Sequence, residues 1–183
     1  MRLISCGFYM ACVIEYSRIT KEPYMTHTEL FIKYPPSKGC SCSICRNFCR
    51  RPGWWSVEQA RIAMQKGYSS RMMMEISPEF TFAVLSPAFF GNEGRIARNE
   101  NAGHSCNFLA QGLCELHNSD LLPLECAFCH HERIGLGQKC HNDIESNWNT
   151  RRGQALVLRW CEKMMYADGI MWARYFYEMQ NRR

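Results

Sequence analysis

Four thiols fall within ten residues in Gly39-Cys40-Ser41-Cys42-Ser43-Ile44-Cys45-Arg46-Asn47-Phe48-Cys49, too little apolar bulk to build a core and enough sulfur to hold a metal. Cys42-x2-Cys45 is the knuckle spacing that lets two sulfurs face one ion while backbone amides of the turn donate to them. Cys40 and Cys49 flank it. A second run opens at Cys106 and Cys114, continues through a second knuckle at Cys126-x2-Cys129 with His130 and His131 following, and closes at Cys140-His141. Two CxxC knuckles far apart in a chain suggest a split tetrathiolate site in which each half supplies two sulfurs. With Cys40, Cys49, Cys106, Cys114 and Cys140 beside them there are ligands enough for two sites. His130 and His141 join the candidate set because each follows a cysteine directly; His104, His117 and His131 lie near without that argument.

The spacing speaks for metal more than for which metal. Zinc takes such ligands, and iron–sulfur clusters also accept four thiolates, with Cys42-x2-Cys45-x3-Cys49 dense enough for three corners of one. The order is not the C-x3-C-x2-C of radical-SAM enzymes. Met72, Met73 and Met74 invite a copper reading, but three consecutive methionines cannot face one ion from a helix, and core packing is the expectation. Glu125, Glu132 and Asp143 are the acids near the cysteines, available as outer partners or as a base if the metal keeps an open position. No Ser/His/Asp order, phosphate loop or paired-carboxylate motif stands out.

The segment Cys106-x7-Cys114-Glu-Leu-His117, then Pro123-Leu-Glu-Cys126, after an early dense cysteine group, resembles the YkgJ-type cysteine-cluster family over roughly residues 38–145. That family is described as zinc- or iron-chelating domains, and some relatives as flagellin lysine methylases. The resemblance therefore implies a chelating cluster and permits an enzyme. The family's early group usually ends in a Cys-Cys pair, whereas three residues separate Cys45 from Cys49 here.

The elements that must position these groups are legible in part. The chain has 183 residues, 46% hydrophobic and 13% aromatic, long enough to bury a core without staples and free of low-complexity segments. Twelve cysteines would suit a secreted disulfide scaffold, so the compartment is argued from the start of the chain. Leu3 to Ile14 is apolar, yet only Arg2 precedes it and no small-residue cleavage site follows; Leu3-Ile4-Ser5-Cys6 sits too close to Met1 for a lipoprotein signal. A cytoplasmic protein with reduced thiols and no membrane span is expected.

Residues 1–37 read as short strand or irregular structure, broken by Pro23, Pro35 and Pro36. Residues 38–149 form the cysteine-cluster domain and 150–183 a helical segment packed on it. Ser56-Val57-Glu58-Gln59 is a capping box opening a helix to about Lys66, with Gly67 as its left-handed stop. Thr81 to Leu85 reads as a buried strand and Pro87 to Gly103 as a loop suited to substrate contact; residues 106–117 read as a hairpin turning at Gln111-Gly112. From Thr150, Leu156, Val157, Trp160, Met164 and Ala167 recur at helical spacing, with a break expected at Asp168-Gly169. Cys6, Cys12 and Cys161 lie outside any ligand spacing and read as small apolar residues. The fold class expected is α+β: a small irregular cysteine-rich domain with a short β-hairpin and flanking helices.

The net charge of +5 is uneven: Lys38, Arg46, Arg50 and Arg51 surround the first cysteine group with no acid between Gly39 and Gly53, and residues 151–183 carry seven basic and three acidic side chains. Cations beside a thiolate site offset its charge, which is preferred here over nucleic-acid binding. The leading reading is a metal-binding protein, holding zinc or iron in a structural or metal-handling role, with a protein partner as an option through the aromatic C-terminal tail. The alternatives are an iron–sulfur or iron-dependent enzyme, including a methyltransferase, and a zinc-ribbon-like adaptor for nucleic acid or protein.

Overall fold

Thr150 opens a helix with a buried stripe: its hydroxyl accepts from the Gly153 N–H at 3.0 Å and starts the helix over Arg151–Met164. The computed structural model describes residues 25–40, 42–101 and 103–182. The expectations for Leu3 to Ile14, Cys6 and Cys12 fall outside them. Among the described residues there are seven α-helices and two two-stranded antiparallel sheets, an α+β fold carrying a cysteine cluster. In chain order the helices are α1 (His27–Lys33), α2 (Ser43–Phe48), α3 (Val57–Gln65), α4 (Leu124–Phe128), α5 (Gly137–Trp148), α6 (Arg151–Met164) and α7 (Ala167–Asn181). The strands are β1 (Met72–Ile76), β2 (Ala83–Pro87), β3 (Leu109–Ala110) and β4 (Leu113–Cys114).

α6 turns Leu156, Val157, Trp160 and Cys161 inward against α3 and β2, and α7 folds back along it. The break comes at Met165, in left-handed conformation (φ 53°), and not at Asp168-Gly169 as expected. Asp168 instead sits in the first turn of α7, where an acid favours the helix dipole, and Gly169 is buried because a Cβ there would meet the Tyr166 ring at 2.6 Å. Met72, Met73 and Met74 are all fully buried, as core packing predicts, but on a strand: β1 sends Met72 and Met74 to the main core and Met73 to a small cluster with Ala88 and Phe89. β2 starts two residues later than expected, because Ser77 Oγ accepts from the Thr81 and Phe82 amides and keeps both in the turn.

Three hydrogen-bonding side chains fix the segments that carry the later cysteines. The expected capping box forms at Ser56 and Gln59, and the fully buried Gln59 also donates to Leu122 O at 2.8 Å and accepts from Leu124 N at 3.2 Å, setting the start of α4. Trp55 Nε1 donates to Leu121 O and Trp148 Nε1 to Trp55 O, both at 2.7 Å, so α5 is seated on the same strip. Gly67 takes its left-handed turn (φ 90°) after α3. The small hairpin turns at Gln111 and Gly112, both at positive φ, as a tight two-residue β-turn of this hand requires.

Residues 27–33 are helical, against the expectation of strand or irregular chain, since Thr26 and Glu29 close a capping box of their own. Gly137 begins α5, the turn before it holding Gly135 at φ 87°. No helix among the described residues is long and apolar enough to cross a membrane.

Candidate metal centre

The first cysteine group is shaped by a short helix. Cys42 is the N-cap of α2, its sulfur 3.5 Å from the Cys45 N–H, and the i to i+3 spacing then puts Cys42 and Cys45 on one side. Cys40 approaches from the preceding strand of irregular chain. All three sulfurs converge on one nitrogen: His131 Nδ1 lies 3.6 Å from Cys40 Sγ, 3.6 Å from Cys42 Sγ and 3.5 Å from Cys45 Sγ. Zinc bonds of about 2.3 Å to sulfur and 2.0–2.1 Å to nitrogen, at a tetrahedral angle, place such atoms about 3.5–3.6 Å apart. The three nitrogen–sulfur distances are therefore those of a tetrahedral zinc site.

His130 stands in the same group, the ligand atoms of Cys40, Cys45, His130 and His131 all lying within 4.8 Å of one another. Its Nδ1, however, faces Glu132, 3.3 Å from that residue's backbone N–H and 3.5 Å from its carboxylate. His131 has its Nδ1 among the sulfurs. The Cys45 N–H holds the Cys42 thiol below its ordinary value, whereas burial pushes Cys45 up to about 11.

The set opens onto a cavity of about 700 Å³, lined by Cys40 and Cys45 and also by Cys49, Cys106, Cys114, Cys126, Cys129 and Cys140. Burial raises Cys106 to about 11 and Cys140 to about 12, and raises Cys126 as well, so thiols here are neutral near pH 7 and loading metal must release protons. Gly53 packs hard on this wall: a Cβ there would lie 2.8 Å from Cys126 Sγ and 3.0 Å from Cys126 N. The first loop thus meets the second knuckle through a glycine.

An acid–imidazole pair completes the wall. Glu125 accepts from Trp54 N at 2.8 Å through one oxygen and faces His141 Nδ1 at 2.6 Å through the other, while the Trp54 and His141 rings lie 4.1 Å apart. The Glu125 contact raises His141 above the ordinary histidine value. A histidine raised on folding stabilises fully below about pH 6.5, and this contribution is lost as pH rises through the raised value. In metal-free Glu125→Gln the His141 titration, followed by NMR, is expected to move down toward the ordinary value. An unmoved midpoint would show that the carboxylate is not what raises it. Behind Trp54, its Nε1 donates at 2.9 Å to Glu75, which also accepts from Ser86 Oγ at 2.6 Å and is itself raised by burial.

Of the residues expected from the sequence, the structure gathers Cys40, Cys42 and Cys45 on His131 with His130 in the same group, and places Cys49, Cys106, Cys114, Cys126, Cys129, Cys140 and His141 around the cavity that Cys40 and Cys45 also line. Among the described residues the two knuckles do not close into one tight four-sulfur set. Cys126 and Cys129 line the cavity, and their stretch reaches the first knuckle through the histidine two residues on. His131 was missed by the adjacency argument, which favours the residue directly after a cysteine; the turn His131–Arg133 swings the second histidine inward. Lys38 and Arg51 border the cavity, and Arg46 and Arg50 are exposed beside α2. No family model, curated protein or solved structure matches the chain.

Proposed function

We propose that this is a metal-binding protein whose Cys40, Cys42, Cys45 and His131 hold zinc, in a structural or metal-handling role. The observation that carries the reading is the single imidazole nitrogen, from a distant part of the chain, at tetrahedral spacing from three sulfurs of one short stretch. A closed set of three thiolates and an imidazole is the donor chemistry of structural zinc, and bound there the ion supplies cross-linking and no open coordination position. The arginines around α2 offset the charge of the thiolates. The described cysteines are all free thiols, which agrees with a reducing, cytoplasmic setting.

A second reading is favoured by the cavity. Six thiols spread around some 700 Å³, outside the tight set, suit a polynuclear iron–sulfur group better than one ion, and the YkgJ-type resemblance, to a zinc- or iron-chelating family, permits an enzyme. An iron-dependent enzyme, including a methyltransferase, would use this wall, with Glu125 and His141 as its proton-bearing groups.

Elemental analysis with a visible spectrum, on protein purified without oxygen, tests both. About one zinc per chain and no colour is the expected result for the first reading. Brown protein containing iron and labile sulfide would establish the second, and protein with neither metal after reconstitution would overturn both.

A further inference from the structure

The chain between Ser37 and Arg50 is fastened in an unusual way. Ser37 is fixed by its N–H to Ala127 O at 2.7 Å and its hydroxyl to Cys129 O at 3.2 Å, and Arg50 by its carbonyl, which accepts from Cys106 N at 2.9 Å. Between these points α2 buries none of its residues, and Ile44 is 46% exposed. A helix of six residues has no stability of its own in water. Among the described residues, every hydrogen bond that leaves this stretch joins a cysteine to His131; the rest are local to it. The same stretch forms one wall of the cavity through Cys45, Asn47, Phe48 and Cys49.

We infer that zinc at Cys40, Cys42, Cys45 and His131 is a latch that holds α2 closed as a lid over the thiol cavity. The inference rests on the zinc reading above and adds a regulation to it. With the ion in place the lid is fastened at both ends and in the middle; without it, the lid keeps its two end points only and opens locally while the core stays folded. Access to the buried Cys106 and the half-buried Cys126 of the wall then follows the metal state. Local opening that zinc opposes is suppressed by the factor 1 + [Zn]/Kd, about 100-fold at a free concentration about 100 times Kd.

The experiment is alkylation of the full chain by iodoacetamide, mapped cysteine by cysteine, in metal-free protein and with one equivalent of zinc, alongside direct measurement of bound zinc. Cys161, 0% exposed against Met74 in the core, reports whether the whole fold opens. The latch predicts that zinc slows Cys106 and Cys126 by about 100-fold under the conditions above while Cys161 is slow throughout, and that His131→Ala abolishes the zinc effect. Zinc that binds without changing the Cys106 and Cys126 rates overturns the latch and leaves the metal reading standing. Cys161 moving in step with them overturns it in favour of global stabilisation, and protection that persists in His131→Ala overturns it by putting the ion on the cavity thiols. Failure to bind zinc at all overturns the metal reading and the latch together.

Discussion

Zinc affinity is expected to fall by at least about 100-fold in His131→Ala, because even partners one shell out from a metal cost 10–100-fold when removed and His131 supplies a direct bond. The imidazole is the only donor of the set that comes from the far side of the cavity. Without it the three thiols still sit close together on one short stretch, and a water can take the fourth position, so binding weakens and is not abolished. His131 is half-buried and follows α4 outside the main core, so the substitution leaves the fold intact. Competition against a chromophoric chelator gives the affinity, and substitution by cobalt gives a second readout, since the ligand-field bands of a three-sulfur, one-nitrogen site shift when the nitrogen is replaced by water. His130→Ala, in which the neighbouring ring is removed, is expected to change affinity by far less. An affinity unchanged in His131→Ala, or a loss shared equally by His130→Ala, would move the metal off this set.

The contrast between these two histidines shows where sequence reasoning reached its limit. Spacing along the chain identified the thiols because a knuckle is a local object: Cys42 caps a helix and Cys45 follows one turn on, whatever the rest of the molecule does. The choice of histidine depends on how a turn after α4 is wound, and that winding is set by tertiary anchors, among them Arg133 Nη1, which donates to Pro35 O at 2.7 Å. The capping box at Ser56 was readable for the same local reason, as was the helix starting at Thr150. A capping box at Thr26 carried an equal signal and was overshadowed by the prolines around it. The gathering of Cys49, Cys106, Cys114, Cys126, Cys129 and Cys140 around one cavity could not be read at all, because they come from separate elements and meet only through tertiary packing such as that of Gly53 against Cys126. Gly169 illustrates the converse error: a glycine read as a helix stop is required by the close approach of Tyr166.

The other large effect lies in the core that seats the cavity walls, and Gln154 is its most exacting residue. It is fully buried, and its amide does the work of a missing strand: Oε1 accepts from Ala83 N at 3.0 Å, and Nε2 donates to Ala83 O at 2.9 Å and to Trp148 O at 2.8 Å. It thereby joins the first residue of β2 to the C-terminal end of α5, the helix that carries Cys140 and His141. Leucine has nearly the same volume and no polar atoms, so Gln154→Leu keeps the packing and leaves the buried N–H and carbonyl of Ala83 without partners, while Trp148 O keeps the Thr150 N–H at 2.7 Å. At about 1–3 kcal/mol for each orphaned group, less what the apolar side chain returns, the expected loss is about 2–4 kcal/mol. For a chain of this size that lowers the melting temperature by roughly 10 °C, readable by circular dichroism or calorimetry. A loss below about 1 kcal/mol would mean that water reaches both Ala83 groups and that the core is looser than its burial indicates. Neither of them touches Cys40, Cys42, Cys45 or His131, so zinc bound per chain, measured well below the melting transition, is expected to match the parent protein. Zinc lost together with core stability would show that the metal set and the core open as one unit, and a lid that moves by itself over a folded core would then be excluded.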